Sequence, residues 1–299
     1  MGIRKGYIPM NIIEVYKTFP TQDACVIHLE NVRWHGKPIC PYCKSANTTP
    51  LQGRHHCNNC NTSFSVTVGT IFHKTKVDFQ KWFVAISLIL NAKKGLSARQ
   101  LARDIKVTKD TAWYMVMRIR RAMAEYGDLL EGIVEVDETY IGGKPRKGTI
   151  NNPNNKGTAN RRGRGTKKTA VVGLAQRGGD VHAKVVKDLN HKTLSRIIKE
   201  HVDPAKTKVF TDEFKGYCKV AGFVEHKTVN HGEGQYVNGI IHTNTIEGFW
   251  ALLKRGIIGQ YHKISVYYLP KYVNEFCYRY NHRQDGFMFD RTVSRALGV

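Results

Sequence analysis

VEVDETYIGG, residues 134–143, sets an acid, Asp137, among β-branched residues in a segment whose alternation predicts a strand. An ionised carboxylate in a central strand is costly to bury unless it has a partner or a metal. Its neighbours Glu135 and Glu138 are also acidic. On an alternating strand Glu135 shares Asp137's face and Glu138 points the other way, and both are read as decoys. Two more strand-like segments follow: TAVVGLAQ (169–176) and VHAKVVKD (181–188). Helix, strand, helix and strand are then expected over 191–200, 208–211, 213–220 and 224–229. Helices are expected from Thr245 to about Arg255, and from near Pro270 through YVNEFCYRYNHR.

This order, three strands and then alternating helices and strands, predicts an α/β chain with an RNase H-like mixed five-stranded sheet. Such a sheet brings a strand centre, a strand end and a helix together. Asp137 supplies the first, Asp212 at the end of KVFTD the second, and Glu247 in the first turn after His242-Thr-Asn244 the third. Three convergent carboxylates suit two Mg²⁺ or Mn²⁺ ions, which in two-metal sites lie roughly 3.5–4 Å apart. In such sites one ion activates the attacking hydroxyl and the other stabilises the leaving oxygen. Two local alternatives stay open. Asn244-x-x-Glu247 is also a capping-box pattern, and Asp212 is also a fair N-cap for the residues after it. Lys254 lies two helical turns beyond Glu247 on the same face, with Ala251 between them, which leaves room for a DNA phosphate. Ile246, Trp250, Leu253 and Ile257 mark the adjacent core stripe.

Upstream, Cys40-Pro-Tyr-Cys43 and Cys57-Asn-Asn-Cys60 form two C-x2-C knuckles separated by 13 residues. Four thiolates aimed at one point make a closed structural Zn²⁺ site with no open position for catalysis. TSFSVTV (62–68) suits a strand of such a ribbon, and Trp34 is expected to pack against it. His55 and His56 are read as facing solvent or DNA. Cys25, Cys218 and Cys277 are read as ordinary buried thiols.

Between ribbon and sheet, residues 77–125 have helical periodicity with ten basic and four acidic residues. A helix over 79–92 ends at Gly95. Ser97 caps a second over 98–104, Ile105-Lys-Val107 turns, and Thr108 caps a third running to about Glu125. The last two match a helix-turn-helix. Thr108, Lys109, Asp110, Thr111 and Tyr114 then face base edges, and Arg118, Arg120 and Arg121 face phosphates.

The net charge of +23 points to a polyanionic partner. Residues 145–168 carry eight basic and no acidic residues among Asn and Gly, which predicts a DNA-facing loop. The longest apolar run, FVAISLIL (83–90), is too short for a membrane span, and no secretory signal opens the chain. Seven cysteines, four in a metal pattern, fit a reducing, cytoplasmic setting. The expected organisation is a helical lead-in (1–36), a zinc ribbon (37–76), a helix-turn-helix region (77–128) and a catalytic domain (129–299).

VEVDETYIGGK, RRGRG (161–165), VFTDEFKGY (209–217), HTNTIEGFWALLKRGIIGQYH (242–262) and YVNEFCYRYNHR (272–283) resemble, in that order, the signature segments of insertion-sequence transposases. The similarity is greatest to the ISXO2-like group, which also begins with a zinc ribbon and DNA-binding helices, and it covers roughly residues 20–285. It implies a DDE triad at Asp137, Asp212 and Glu247, with Lys254 as the associated basic residue. Some relatives carry Asn as the last member. Glu247 is preferred here over Asn244 because Lys254 keeps its seven-residue offset from it, and because a carboxylate binds a hard cation better. The resemblance also implies action on terminal inverted repeats of double-stranded DNA by a homodimer or higher oligomer. DNA contacts are expected from Arg161, Arg162, Arg164, Lys167, Lys168 and Arg255 beside the recognition helix. An RNase H-like nuclease or resolvase that never joins strands, and a domesticated DNA-binding regulator, are the rival functions.

Overall fold

A computed structural model describes residues 10–124, 127–142, 168–229 and 242–299. The chain divides into two compact units, Met1–Ala124 with His282–Val299, and Glu125–Asn281.

The first unit opens with α1 (Ile12–Thr18) and α2 (Gln22–Trp34). A three-stranded antiparallel sheet follows: β1 (Thr48–Leu51), β2 (Arg54–Cys57) and β3 (Thr62–Phe64). The expected strand over 62–68 stops at Phe64, where the chain turns. Trp34 meets His55 and Phe64 edge-on, as its position suggested. His55, read as facing outward, is instead only 8% exposed. It stacks on Phe64, and its Nε2 lies 2.9 Å from Glu30 Oε1. Alternation along β2 turns it onto the α2 side.

Three helices continue this unit: α3 (Phe79–Asn91), α4 (Ala98–Asp104) and α5 (Lys109–Ala122). Both expected caps form. Ser97 accepts from Gln100 N at 3.2 Å, and Thr108 accepts from Thr111 N at 3.2 Å. Lys106 makes the turn with φ of 51°. After residue 281 the chain adds α9 (Met288–Leu297), which the sequence reading left unassigned. Its Phe289 packs on Phe19 and Phe83. Residues 282–299 therefore group with the N-terminal unit, whereas the sequence reading carried the catalytic domain to 299.

The second unit is a five-stranded mixed sheet of β4 (Leu130–Ile141), β5 (Thr169–Gln176), β6 (Val181–Val186), β7 (Val202–Asp212) and β8 (Glu225–Val229). The order is β6-β5-β4-β7-β8. The first three strands pair antiparallel, and β7 and β8 join parallel to β4. This is the RNase H-like arrangement. The crossover helix α6 (His191–His201) makes the parallel β4–β7 pairing possible. The helix expected over 213–220 is replaced by short 3₁₀ turns at Lys215–Tyr217 and Val220–Gly222. Cys218 is consequently exposed and Cys277 half-buried, and of the three thiols read as buried only Cys25 is.

Helices cover both sheet faces. On one, α6 packs Leu194, Ile197 and Ile198 against Val134, Val136, Val172 and Val209. On the other, α7 (Asn244–Gly256) and α8 (Leu269–Asn281) pack Ile246, Phe249, Trp250, Leu253, Val273 and Phe276 against Val171 and Ala175. Among the described residues, no helix is long and apolar enough to cross a membrane.

Candidate active site

Asp137 lies mid-way along the central strand, and register decides its neighbour. Val136 pairs with Thr211 across the parallel β4–β7 ladder. The next residues, Asp137 and Asp212, therefore stand side by side where β7 ends. Carboxylate oxygens of Asp137, Glu138 and Asp212 all come within 4.8 Å of one another. Glu138 is a correction to the alternation argument. Among the described residues no strand flanks β4 on that side beyond Asp212, so carboxylates from both of its faces meet around the open end.

Each acid is held by a neutral or backbone donor. Trp250 Nε1 donates to Asp137 Oδ2 at 3.1 Å. Tyr217 Oη donates to Glu138 Oε2 at 3.0 Å. Burial, then the charge of Glu138, keeps the Tyr217 phenol well above its usual pKa, so it remains a donor. Phe214 N donates to Asp212 Oδ1 at 3.1 Å, a tight turn with no α-helix after it. Asp212 thus does not cap the helix expected there.

Trp250 reaches Asp137 because the strand opposite carries no side chain. Gly173 pairs with Asp137. A Cβ on Gly173 would lie 2.5 Å from the Trp250 ring and 2.8 Å from Ile246. Glycine lets α7 settle directly onto the sheet.

Glu247 sits in the first turn of α7, on the exposed face that also carries Ala251 and Lys254. Ile246, Trp250 and Leu253 form the buried stripe, and Ile257 is half-buried. Glu247 stands outside the tight three-carboxylate set, yet close enough to raise the pKa of Asp137. The capping-box alternative does not form. Thr243 is the N-cap residue and Asn244 the first helical one, and Thr243 Oγ1 donates to Glu247 Oε1 at 2.9 Å.

Burial first, then repulsion from Glu138, Asp212 and Glu247, pushes Asp137 from 3.8 to about 7. A divalent cation would relieve that repulsion, and an all-oxygen donor set suits a hard ion.

The cysteine cluster is the chemical opposite. Cys40 Sγ lies 3.7 Å from Cys60 Sγ, and Cys43 Sγ 3.4 Å from Cys57 Sγ. All four sulfurs lie within 4.8 Å of one another. A tetrahedral ion with Zn–S bonds of about 2.3 Å places its sulfurs about 3.8 Å apart, so the four thiols fit zinc. The backbone N–H of Cys60, and then the thiol of Cys43, help bring Cys57 down to about 6.

The expected DNA-facing residues divide. Thr108, Lys109, Tyr114 and Arg121 are exposed on α5, and Thr111 is half-buried. Arg118 turns inward: it donates to the carbonyls of Ile71 and His73 and lies over the Tyr114 ring. Arg120 is 2% exposed. Both side chains hold the unit together where the sequence suggested phosphate contacts. Lys254 and Arg255 are exposed, and Lys168 is half-buried just before β5. Arg161, Arg162, Arg164 and Lys167, with most of the basic loop, lie outside the described residues.

Comparison with known proteins fits this geometry. Residues 129–281 match the ISXO2-like transposase domain, and residues 20–63 match the transposase zinc-ribbon domain. The chain is 30% identical, over 80% of its length and 84% of the relative's, to an uncharacterized protein in transposable element ISH50 of Halobacterium salinarum. Among solved structures, the Mos1 strand transfer complex aligns with 72% of this chain and 75% of that one, at 13% identity and a TM-score of 0.32. The Mos1 transposase paired-end complex with left transposon end aligns with 72% and 78%, at 14% identity and a TM-score of 0.28. Both structural likenesses are slight, and the fold rests on strand order and register.

Proposed function

The chain belongs to the ISXO2-like transposases, a DDE-type family, and from that premise we propose that it cuts and joins DNA at the terminal inverted repeats of its own mobile element. Water attacks the phosphodiester at an element end, the P–O3′ bond breaks, and a 3′-hydroxyl is freed. That hydroxyl then attacks a target phosphodiester, and a new P–O3′ bond replaces the old one. The observation that carries this reading is the meeting of the Asp137 and Asp212 carboxylates one step past the Val136–Thr211 pair, where β7 ends.

Asp137 and Asp212 are the residues that would hold divalent ions, Mg²⁺ or Mn²⁺, with Glu247 completing the site and Glu138 close at hand. Bound there, such ions would supply Lewis acidity to the reacting phosphate and lower the pKa of the attacking hydroxyl. Trp250 fixes Asp137 through Oδ2. Tyr217 fixes Glu138 through Oε2. Lys254, exposed on the Glu247 face, binds a DNA phosphate. The zinc ribbon, the exposed start of α5 with Arg121, and the basic loop 145–168 grip duplex DNA. Two ends must be brought together for joining, so the working form is a dimer or larger.

Asp137→Ala tests the assignment. Strand cleavage of an end-bearing duplex should vanish while affinity for that duplex stays nearly unchanged. Retained cleavage would remove Asp137 from the site. Joined products from the parent chain separate a transposase from a nuclease that only cuts.

A further inference from the structure

Glu135, two residues before Asp137, is fully buried at 0% exposure in the middle of β4. Its sequence position makes it look like a bystander to Asp137. A carboxylate at such a site persists only if every oxygen is engaged. Thr245 N donates to Oε2 at 2.7 Å, and Ile246 N donates to the same oxygen at 3.1 Å. Thr245 Oγ1 donates to Oε1 at 3.0 Å, and Arg177 Nε donates to Oε1 at 2.6 Å. Arg177 Nη2 also donates to the His242 carbonyl at 2.9 Å, which ties the lead-in of α7 to the same ion pair.

These donors are the ones an ordinary N-cap side chain would serve, the second and third N–H groups of a helix. The N-cap residue of α7, Thr243, makes no such bond, and its hydroxyl goes to Glu247 instead. Glu135 therefore caps α7 from a neighbouring strand. Its negative charge also suits the positive end of the helix. Two residues on, the same face of β4 holds α7 again, through Trp250 Nε1 and Asp137. The helix is pinned to the strand at two points, and Glu247 lies between them in sequence.

We propose that Glu135 is a positioning residue that sets where Glu247 and Lys254 stand relative to Asp137 and Asp212. The proposal rests on the reading of Glu247 as a member of the site. Glu135 touches neither DNA nor any reacting atom; it acts through α7. Arg177 orients the carboxylate through Oε1.

The test uses the full chain and Glu135→Gln, which keeps the shape and loses the charge and one acceptor. Two quantities are read: amide hydrogen exchange at Thr245 and Ile246 without divalent ions, and the Mn²⁺ concentration for half-maximal cleavage against the rate at saturating Mn²⁺. Exchange at the two amides should speed up at least about tenfold, and the Mn²⁺ midpoint should rise by about 10–100-fold with a smaller change in the saturated rate. Ile197→Val, a core change on the opposite face of the sheet, controls for lost stability and should move neither quantity. An unchanged midpoint, or unchanged exchange at both amides, overturns the proposal. If Glu135→Gln does not fold, Thr245→Val removes one donor to Oε1 and must shift the midpoint in the same direction; no shift overturns the proposal equally. If the parent chain shows no Mn²⁺-dependent cleavage, the functional reading fails, and amide exchange alone still decides whether Glu135 caps the helix.

Discussion

The two ligand clusters in this molecule differ in how the chain assembles them. The cysteine set is local: two knuckles, closed by a small hairpin sheet, bring four soft sulfurs together within 21 residues of sequence. The carboxylate set is not local. Asp137 and Asp212 meet only because β7 returns parallel to β4 after a crossover helix. The first cluster has four ligands and no place for a substrate, so its metal can only hold the fold. The second leaves its acids at an open strand end, mutually repelling, with Asp137 raised to about 7. The first site should depend on its metal for its fold; the second is held in place by Trp250, Tyr217 and Gly173.

That contrast can be broken most forcefully at the ribbon. Cys57→Ser should abolish zinc retention and unfold β1–β3, because binding free energy of about 10 kcal/mol or more is folding free energy in such modules. Zinc analysis and limited proteolysis across residues 37–66 would show it. Removing divalent ions with a chelator too weak to take the zinc should leave β4–β8 folded. A sheet that melts with that treatment would erase the distinction.

A smaller effect is expected where the carboxylate site is prearranged. Gly173→Val puts atoms into the Trp250 ring and should cost about 1–3 kcal/mol through overpacking. Because α7 must lift, cleavage should fall by more than the lost stability explains. Denaturant melts and cleavage rates on one preparation would compare the two losses, and a purely proportional loss would argue against a prearranged site.

The smallest effect is on pH dependence. The carboxyl of Asp137 titrates near 7 in the fold against about 3.8 when unfolded, so the folded chain binds more protons between those values. The contribution of Asp137 to stability without metal should therefore be most favourable below pH 4, fall as pH rises toward 7, and level off above. Asp137→Asn lacks this slope. It should melt higher than the parent at pH 8, by roughly 2–4 °C for each kcal/mol relieved, and show no advantage below pH 4. Equal melting temperatures at pH 8 would mean that the acids do not repel as described.

Local chemistry made much of this readable in advance. The C-x2-C spacing gave the ribbon, Ser97 and Thr108 announced the starts of α4 and α5, and the order of strands and helices gave the sheet. Long-range features were harder. Alternation placed Glu138 opposite Asp137, which is correct for the two faces of β4 but ignores that β7 stops at Asp212. Arg118 and Arg120 carry charge in the sequence, yet carbonyl partners and burial take them inward. The 213–220 segment forms two short 3₁₀ turns where the sequence suggested a helix. α9 did have a signal, the apolar spacing of Phe289, Val293 and Ala296, masked by the expectation that the catalytic domain ran to the end. Glu135 had none, since the helix it caps lies more than 100 residues away.

The central claim is that Asp137 and Asp212 hold divalent cations together. Crystals soaked in Mn²⁺ and measured near the manganese edge test it directly. Anomalous density between those two carboxylates, lost in Asp137→Asn, is the predicted result. Density confined to the cysteine cluster, or none beside Asp212, would contradict it.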